Sequence, residues 1–177
     1  MAEHRSKYLV KFTGLPAGDH AYNFDIGNSF FEGKEDIGLG NVEISAGVIL
    51  HKQTTMQLDL SLRGKVELTC VRCLETFYLP VEVEKTLLVR VVDHPSPEDD
   101  DDDTLSIAAS DHEIDLAHDL YDFLVLQVPF HPAHPEDEHG NPTCNPEVIK
   151  HLEKQGLITN QDPKDPRWDA LKNIKLN

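Results

Sequence analysis

The sequence predicts an α+β fold: an antiparallel β meander or partly closed barrel, one amphipathic covering helix, and short C-terminal helices. Three observations predict it. Long runs alternate apolar and polar residues at period two, one later stretch repeats its apolar residues at helical spacing, and the last part is rich in Pro, His and Asn before short helical signals return.

Lys7 to Thr13 reads as a short strand with Tyr8, Val10 and Phe12 on one face, closed by the turn cluster Gly14-Leu15-Pro16-Ala17-Gly18. A second strand, His20 to Ile26, is expected to pair back onto it as a hairpin. From Val42 the alternation strengthens: Val42, Ile44, Ala46, Val48 and Leu50 hold even positions, with Glu43, Ser45 and Gly47 between them. Met56, Leu58, Leu60, Leu62, Val66, Leu68 and Cys70 continue the even series, interrupted by Gly64, which predicts a bulge or sharp bend. Beyond the cysteines the parity changes, and Phe77, Leu79, Val81, Val83, Leu87, Val89 and Val91 take odd positions. Three consecutive long strands of this kind imply a meander.

Pro95 and Pro97 stop the last strand, and the acidic run Glu98 to Asp103 predicts a flexible loop over 93–110. Ser110-Asp111-His112-Glu113 has the form of a capping box, followed by Leu116, Leu120, Phe123 and Leu124 on one helical face and Asp115, Asp119 and Asp122 on the other. The pair Ile114 and Leu116 leaves a short strand before the helix as an alternative. Pro129 ends the helix. Residues 1–129 are thus expected to form the sheet domain, and 130–177 a Pro/His-rich loop and short-helix extension. In that extension Asn145 is an N-cap with Pro146 at the first helical position, Val148, Ile149 and Leu152 form the apolar stripe, and Gly156 is the stop. Trp168, Leu171 and Ile174 recur in a last helical turn or two.

Charge narrows the function. Of 177 residues, 32 are Asp or Glu and 16 are Lys or Arg, a formal charge of -16. Such a chain opposes close approach to phosphates and suits a basic protein partner. A local basic face remains open, because Arg63, Lys65 and Arg72 lie near the cysteines and Lys164, Arg167, Lys172 and Lys175 near the C-terminus. No run approaches the ~18 apolar residues of a membrane span. Met1 to Lys7 leads into no apolar signal core, and three cysteines do not make a disulfide framework, so a cytoplasmic location is expected.

The chemistry-bearing stretch is Leu68 to Leu79, in which Cys70 and Cys73 have the spacing that turns two thiolates toward one ion. That is half a zinc site, and Cys144 with His139 or His134 is the candidate other half. Cys70, Cys73, His139 and Cys144 are the expected ligands. The plainer alternative is a core thiol at Cys70, a turn cap at Cys73 and ordinary loop histidines. A redox pair fits poorly, because both flanks read as strands and no helix N-terminus is at hand to lower a thiol pKa. No Gly-x-Ser-x-Gly, phosphate-binding loop, dinucleotide fingerprint or His-Glu-x-x-His occurs, so neither a catalytic residue nor a small-molecule substrate is expected.

Leu68-Thr69-Cys70-Val71-Arg72-Cys73-Leu74-Glu75, between two strands, resembles the signature of the YceD family, the large ribosomal RNA subunit accumulation proteins. Similar too are Gly14 to Gly18 after the opening strand, Asp115-Leu116 leading to Val128-Pro129, and Asp165-Pro166-Arg167-Trp168-Asp169-Ala170-Leu171. The resemblance implies a non-enzymatic ribosome-biogenesis factor that binds a ribosomal protein or assembly factor, with indirect or weak direct contact to rRNA. Arg72, Glu75, Arg167 and Trp168 are the expected partner-binding residues. Many relatives carry a second cysteine cluster after the helix, which would complete a zinc site; this chain has Cys144 among histidines there. The alternative is a zinc-stabilised structural or regulatory module unrelated to ribosomes.

Overall fold

The computed structural model describes residues 7–33, 38–93, 95 and 103–156. The chain falls into two compact units, Met1–Pro132 and Ala133–Asn177. The fold is α+β, and the described residues are mostly sheet with two α-helices.

Among the described residues the first unit holds seven strands and one α-helix: β1 (Leu9–Lys11), β2 (Gly18–Ile26), β3 (Leu39–Lys52), β4 (Met56–Thr69), β5 (Thr76–Val92), β6 (Thr104–Ala108), β7 (Glu113–Asp115) and α1 (Ala117–Val125). The long strands lie where the alternation demands. Val42, Ile44, Ala46, Val48 and Leu50 of β3 are buried, as are Leu58, Leu60, Leu62, Val66 and Leu68 of β4. Val81, Val83, Leu87 and Val89 continue the face on β5, while Val91, at the end of the same parity, is exposed. One buried cluster contains these residues together with Tyr8, Val10, Ile107, Ile114, Leu116, Leu120 and Leu124.

The large sheet has the order β2-β3-β4-β5-β6. Its first four strands are antiparallel neighbours, and β6 joins β5 in parallel over Leu88–Val92. Among the described residues it is an open mixed sheet with β2 and β6 as its edges, so of the two expected forms the meander is present, as β3-β4-β5, and a closed barrel is not. The segment expected to be an acidic loop over 93–110 therefore contains a strand, because Leu105 and Ile107 have apolar partners on β5; residues 98–102 of the acidic run lie outside the described residues.

Three other expectations are corrected. β1 does not pair with β2 as a hairpin but with β7, in the register Leu9↔Asp115 to Lys11↔Glu113. Alternation fixes which face of a strand is buried and leaves its backbone partner open. The capping box at Ser110 is not used. Asp111 instead closes a turn on the Ala108 N–H, Glu113–Asp115 is strand, and α1 begins after Leu116 with Asp115 Oδ1 accepting from the Ala117 N–H at 3.0 Å. Finally, β3, β4 and β5 stay in register through Gly64, whose partners are Ile44 and Val81, so no bulge occurs there. The glycine is needed because a Cβ would stand 2.1 Å from the Glu43 carbonyl oxygen.

In the second unit the described structure is a loop and one helix, α2 (Pro146–Lys154). The Asn145 side chain accepts from the Glu147 N–H at 3.0 Å and Pro146 is the first helical residue. Val148, Ile149 and Leu152 are half-buried, and α2 has no fully buried residue. The helical turns expected around Trp168 lie outside the described residues. No described helix is long and apolar enough to cross a membrane.

Candidate metal centre and knuckle surface

The β4–β5 connection is a tight knuckle. The Cys70 N–H donates to the Glu75 carbonyl at 2.9 Å and the Leu74 N–H to the Cys70 carbonyl at 2.9 Å, so four residues make the reversal. Within it the Arg72 N–H points at Cys70 Sγ, 3.4 Å away. An N–H aimed at sulfur favours the thiolate, the form that binds metal. Cys70 sits where strand parity places it, on the core side, and is fully buried; Cys73 is half-buried. The Val71 N–H donates to the Pro132 carbonyl at 2.8 Å, which fixes the segment after α1 beside the knuckle.

The loop that carries the histidines closes on itself. Pro135 accepts from the Thr143 N–H at 3.3 Å and from its hydroxyl at 2.6 Å, and Glu136 bridges to Pro142. Inside this neck the Asp137 carboxylate accepts from the N–H groups of His139 and Asn141, each at 2.8 Å. The Asn141 backbone N–H, then its side chain, then the His139 N–H hold the Asp137 carboxyl below its usual range. Gly140, at φ 80°, completes the turn. His139 is therefore at the exposed tip, while His134 and Cys144 stand at the two sides of the neck.

Cys70, Cys73, His134 and Cys144 form a group whose ligand atoms all lie within 4.8 Å of one another. Cys144 is buried and His134 half-buried. Of the residues expected to ligate, Cys70, Cys73 and Cys144 are in the group and His139 is not. The donor set tests well against zinc. Three thiolates and one imidazole are a recognised structural combination for that ion. The turn signal Asp137 to Asn141 with Gly140 could have marked His139 as a tip residue and His134 as a neck residue.

The expected partner-binding residues are placed in part. Arg72 is half-buried and Glu75 exposed on the knuckle; Arg167 and Trp168 lie outside the described residues. Arg63 and Lys65, counted toward a basic face, are engaged by acids. Arg63 reaches Glu84 at 3.1 Å and Glu82 at 3.3 Å, and Lys65 reaches Glu43 at 3.1 Å while lying over the Tyr78 ring.

One polar cluster had no sequence signal. His51 on β3 places Nδ1 2.7 Å from an Asp19 carboxylate oxygen of β2 and Nε2 2.9 Å from an Asp59 carboxylate oxygen of β4, an arrangement that favours the doubly protonated ring. These carboxylates raise its pKa, Asp19 most. Asp59 in turn is held low by the Gln57 amide and the Thr86 hydroxyl, with His51 adding to them. Asp19 and Thr86 lie far from His51 and Asp59 in sequence and reach them through strand register.

A family model described as large ribosomal RNA subunit accumulation protein YceD matches residues 58–175. That span takes in β4 from Leu58 onward, the knuckle, β5, both described helices and all three cysteines. No curated protein and no solved structure matches.

Proposed function

From the premise that this chain belongs to the YceD family, we propose that it is a non-enzymatic factor of ribosome biogenesis, acting in the cytoplasm by binding a basic ribosomal protein or assembly factor. The observation that carries this reading is the family match across the knuckle and both helices. The family's description is of support for accumulation of large-subunit rRNA. The charge of -16 favours reaching that RNA through a basic protein rather than by gripping phosphates. Arg72 and Glu75 are the described residues proposed to meet this partner, with Arg167 and Trp168 from the C-terminal segment.

The Cys70, Cys73, His134 and Cys144 group supports a structural zinc, which would perform no chemistry on a substrate. His139 is the competing fourth ligand. The same group favours a second reading, a zinc-stabilised binding module with no ribosomal role.

The test has two arms. Purified protein is expected to hold one zinc per chain, lost in Cys70→Ser with Cys73→Ser and weakened in His134→Ala, with His139→Ala unchanged. The reverse order for the two histidines would make His139 the ligand. Cells lacking the protein are expected to show a deficit of large ribosomal subunits in a sedimentation profile. A normal profile beside intact zinc binding would favour the module without ribosomal business.

A further inference from the structure

The knuckle presents an apolar surface that neither the core nor the metal group uses. Val71 is 53% exposed, Leu74 77% and Phe130 92%. The Val71–Pro132 hydrogen bond of 2.8 Å holds the segment carrying Phe130 against the knuckle. Phe130 is braced edge-on by the His131 ring at 4.7 Å.

Leu74 is the telling residue. Its φ is 62°, the one positive value among described residues other than glycine. Turns needing that conformation take Gly or Asn, because a bulky side chain there strains the backbone. Folding alone would place one of those here. Leucine at this position keeps an unfavourable backbone and holds an apolar side chain out in water, a combination that stability does not reward.

We infer that Val71, Leu74 and Phe130 form the apolar anchor by which this protein docks a basic protein partner. The inference rests on the ribosome-biogenesis reading and adds the surface to it. Charge selects the occupant. At -16 a second copy is repelled, and so is nucleic acid, whereas a cationic protein is drawn in over long range and then held by apolar contacts. Few residues of an interface carry most of its energy, and exposed aromatic and aliphatic groups on a rigid turn are suited to that role. Half-buried Arg72 and exposed Glu75 on the same turn supply polar groups at the rim.

The test titrates the full chain, fluorescently labelled, with individually purified basic proteins of the large ribosomal subunit and with the basic assembly factors of that subunit. Leu74→Asn removes the anchor while suiting the backbone, so its urea midpoint should equal or exceed that of the wild type. Its affinity for the bound protein should fall at least roughly tenfold. Phe130→Ser should weaken binding likewise, and Ile49→Thr, at an exposed apolar residue of the sheet, should not. Binding that survives both anchor variants overturns this surface and leaves the functional reading standing. Absence of any bound protein overturns the reading and the inference with it. Self-association abolished by Leu74→Asn, or binding to an rRNA fragment abolished by it, would assign the surface to a second copy or to nucleic acid and overturn the proposal.

Discussion

His51 bridges three strands through a single ring. Both its nitrogens face carboxylates, 2.7 Å from Asp19 and 2.9 Å from Asp59, so the imidazolium is favoured and its pKa is raised above the ordinary value, by Asp19 most. A histidine with a raised folded-state pKa binds its proton more tightly folded than unfolded. Its contribution to stability is complete below the unfolded pKa of about 6.5 and is lost as pH rises through the folded value. Asp59 works in the opposite sense. Its carboxyl is lowered first by Gln57 and Thr86 and then by His51, so its contribution is present above the ordinary carboxylate pKa and is lost as pH falls through the folded one. The expected outcome is a urea midpoint that declines from mildly acidic to mildly basic pH more in the wild type than in His51→Gln. Parallel curves for the two proteins would show that the ring is not charged in the fold.

Strands show what a single sequence reveals and where it stops. The faces of β3, β4 and β5 were legible because period-two burial writes itself directly into residue type. Cys70 was placed on the core side by the same count, and it is buried. Partners were legible for the consecutive strands β3, β4 and β5, which form the expected antiparallel meander, and not for the short ones. β1 lies next to β7, and β6 runs parallel to β5, because pairing is decided by how Tyr8, Val10, Ile107 and Ile114 share one core, which no local window contains. The histidine loop has the same character: its three histidines are alike as residues, and the Asp137 turn separates the tip from the neck. Gly64 marks a close backbone approach and not a bulge, because an isolated glycine in a strand signals either and only the strand neighbours decide between them. The close approach gives a paired prediction. Gly64→Ala would put a Cβ 2.1 Å from the Glu43 oxygen and 2.7 Å from the Ile44 Cα. Backbone atoms cannot turn aside, so β3 and β4 must part, at a cost of about 3 kcal/mol. Gly47→Ala meets nothing nearer than 3.7 Å and should change stability by less than ~0.5 kcal/mol. Equal urea midpoints for the two variants would mean that the β3–β4 spacing is not fixed as described.

At the scale of the whole molecule, charge and the described ion pairs together bear on how large-subunit rRNA is reached. Arg63 and Lys65 looked like the start of a basic face in the sequence, but Glu82, Glu84 and Glu43 engage them. Releasing either cation to a phosphate would uncover carboxylates beside it, and with a chain charge of -16 the surrounding field opposes the phosphate further. Binding driven by phosphate contacts should therefore be weak and unselective. In a filter-binding titration with a large-subunit rRNA fragment at about 0.15 M salt, the protein alone is expected to bind no more tightly than ordinary non-specific complexes, roughly 10⁻⁴ to 10⁻⁶ M. Charge reversal at Arg72 should leave that weak binding nearly unchanged. Adding the cognate basic protein should bring both into one complex, because that protein, and not this chain, then supplies the cations. Tight saturable binding by the protein alone, steeply dependent on salt and lost in Arg72→Glu, would show instead that the knuckle contacts RNA directly.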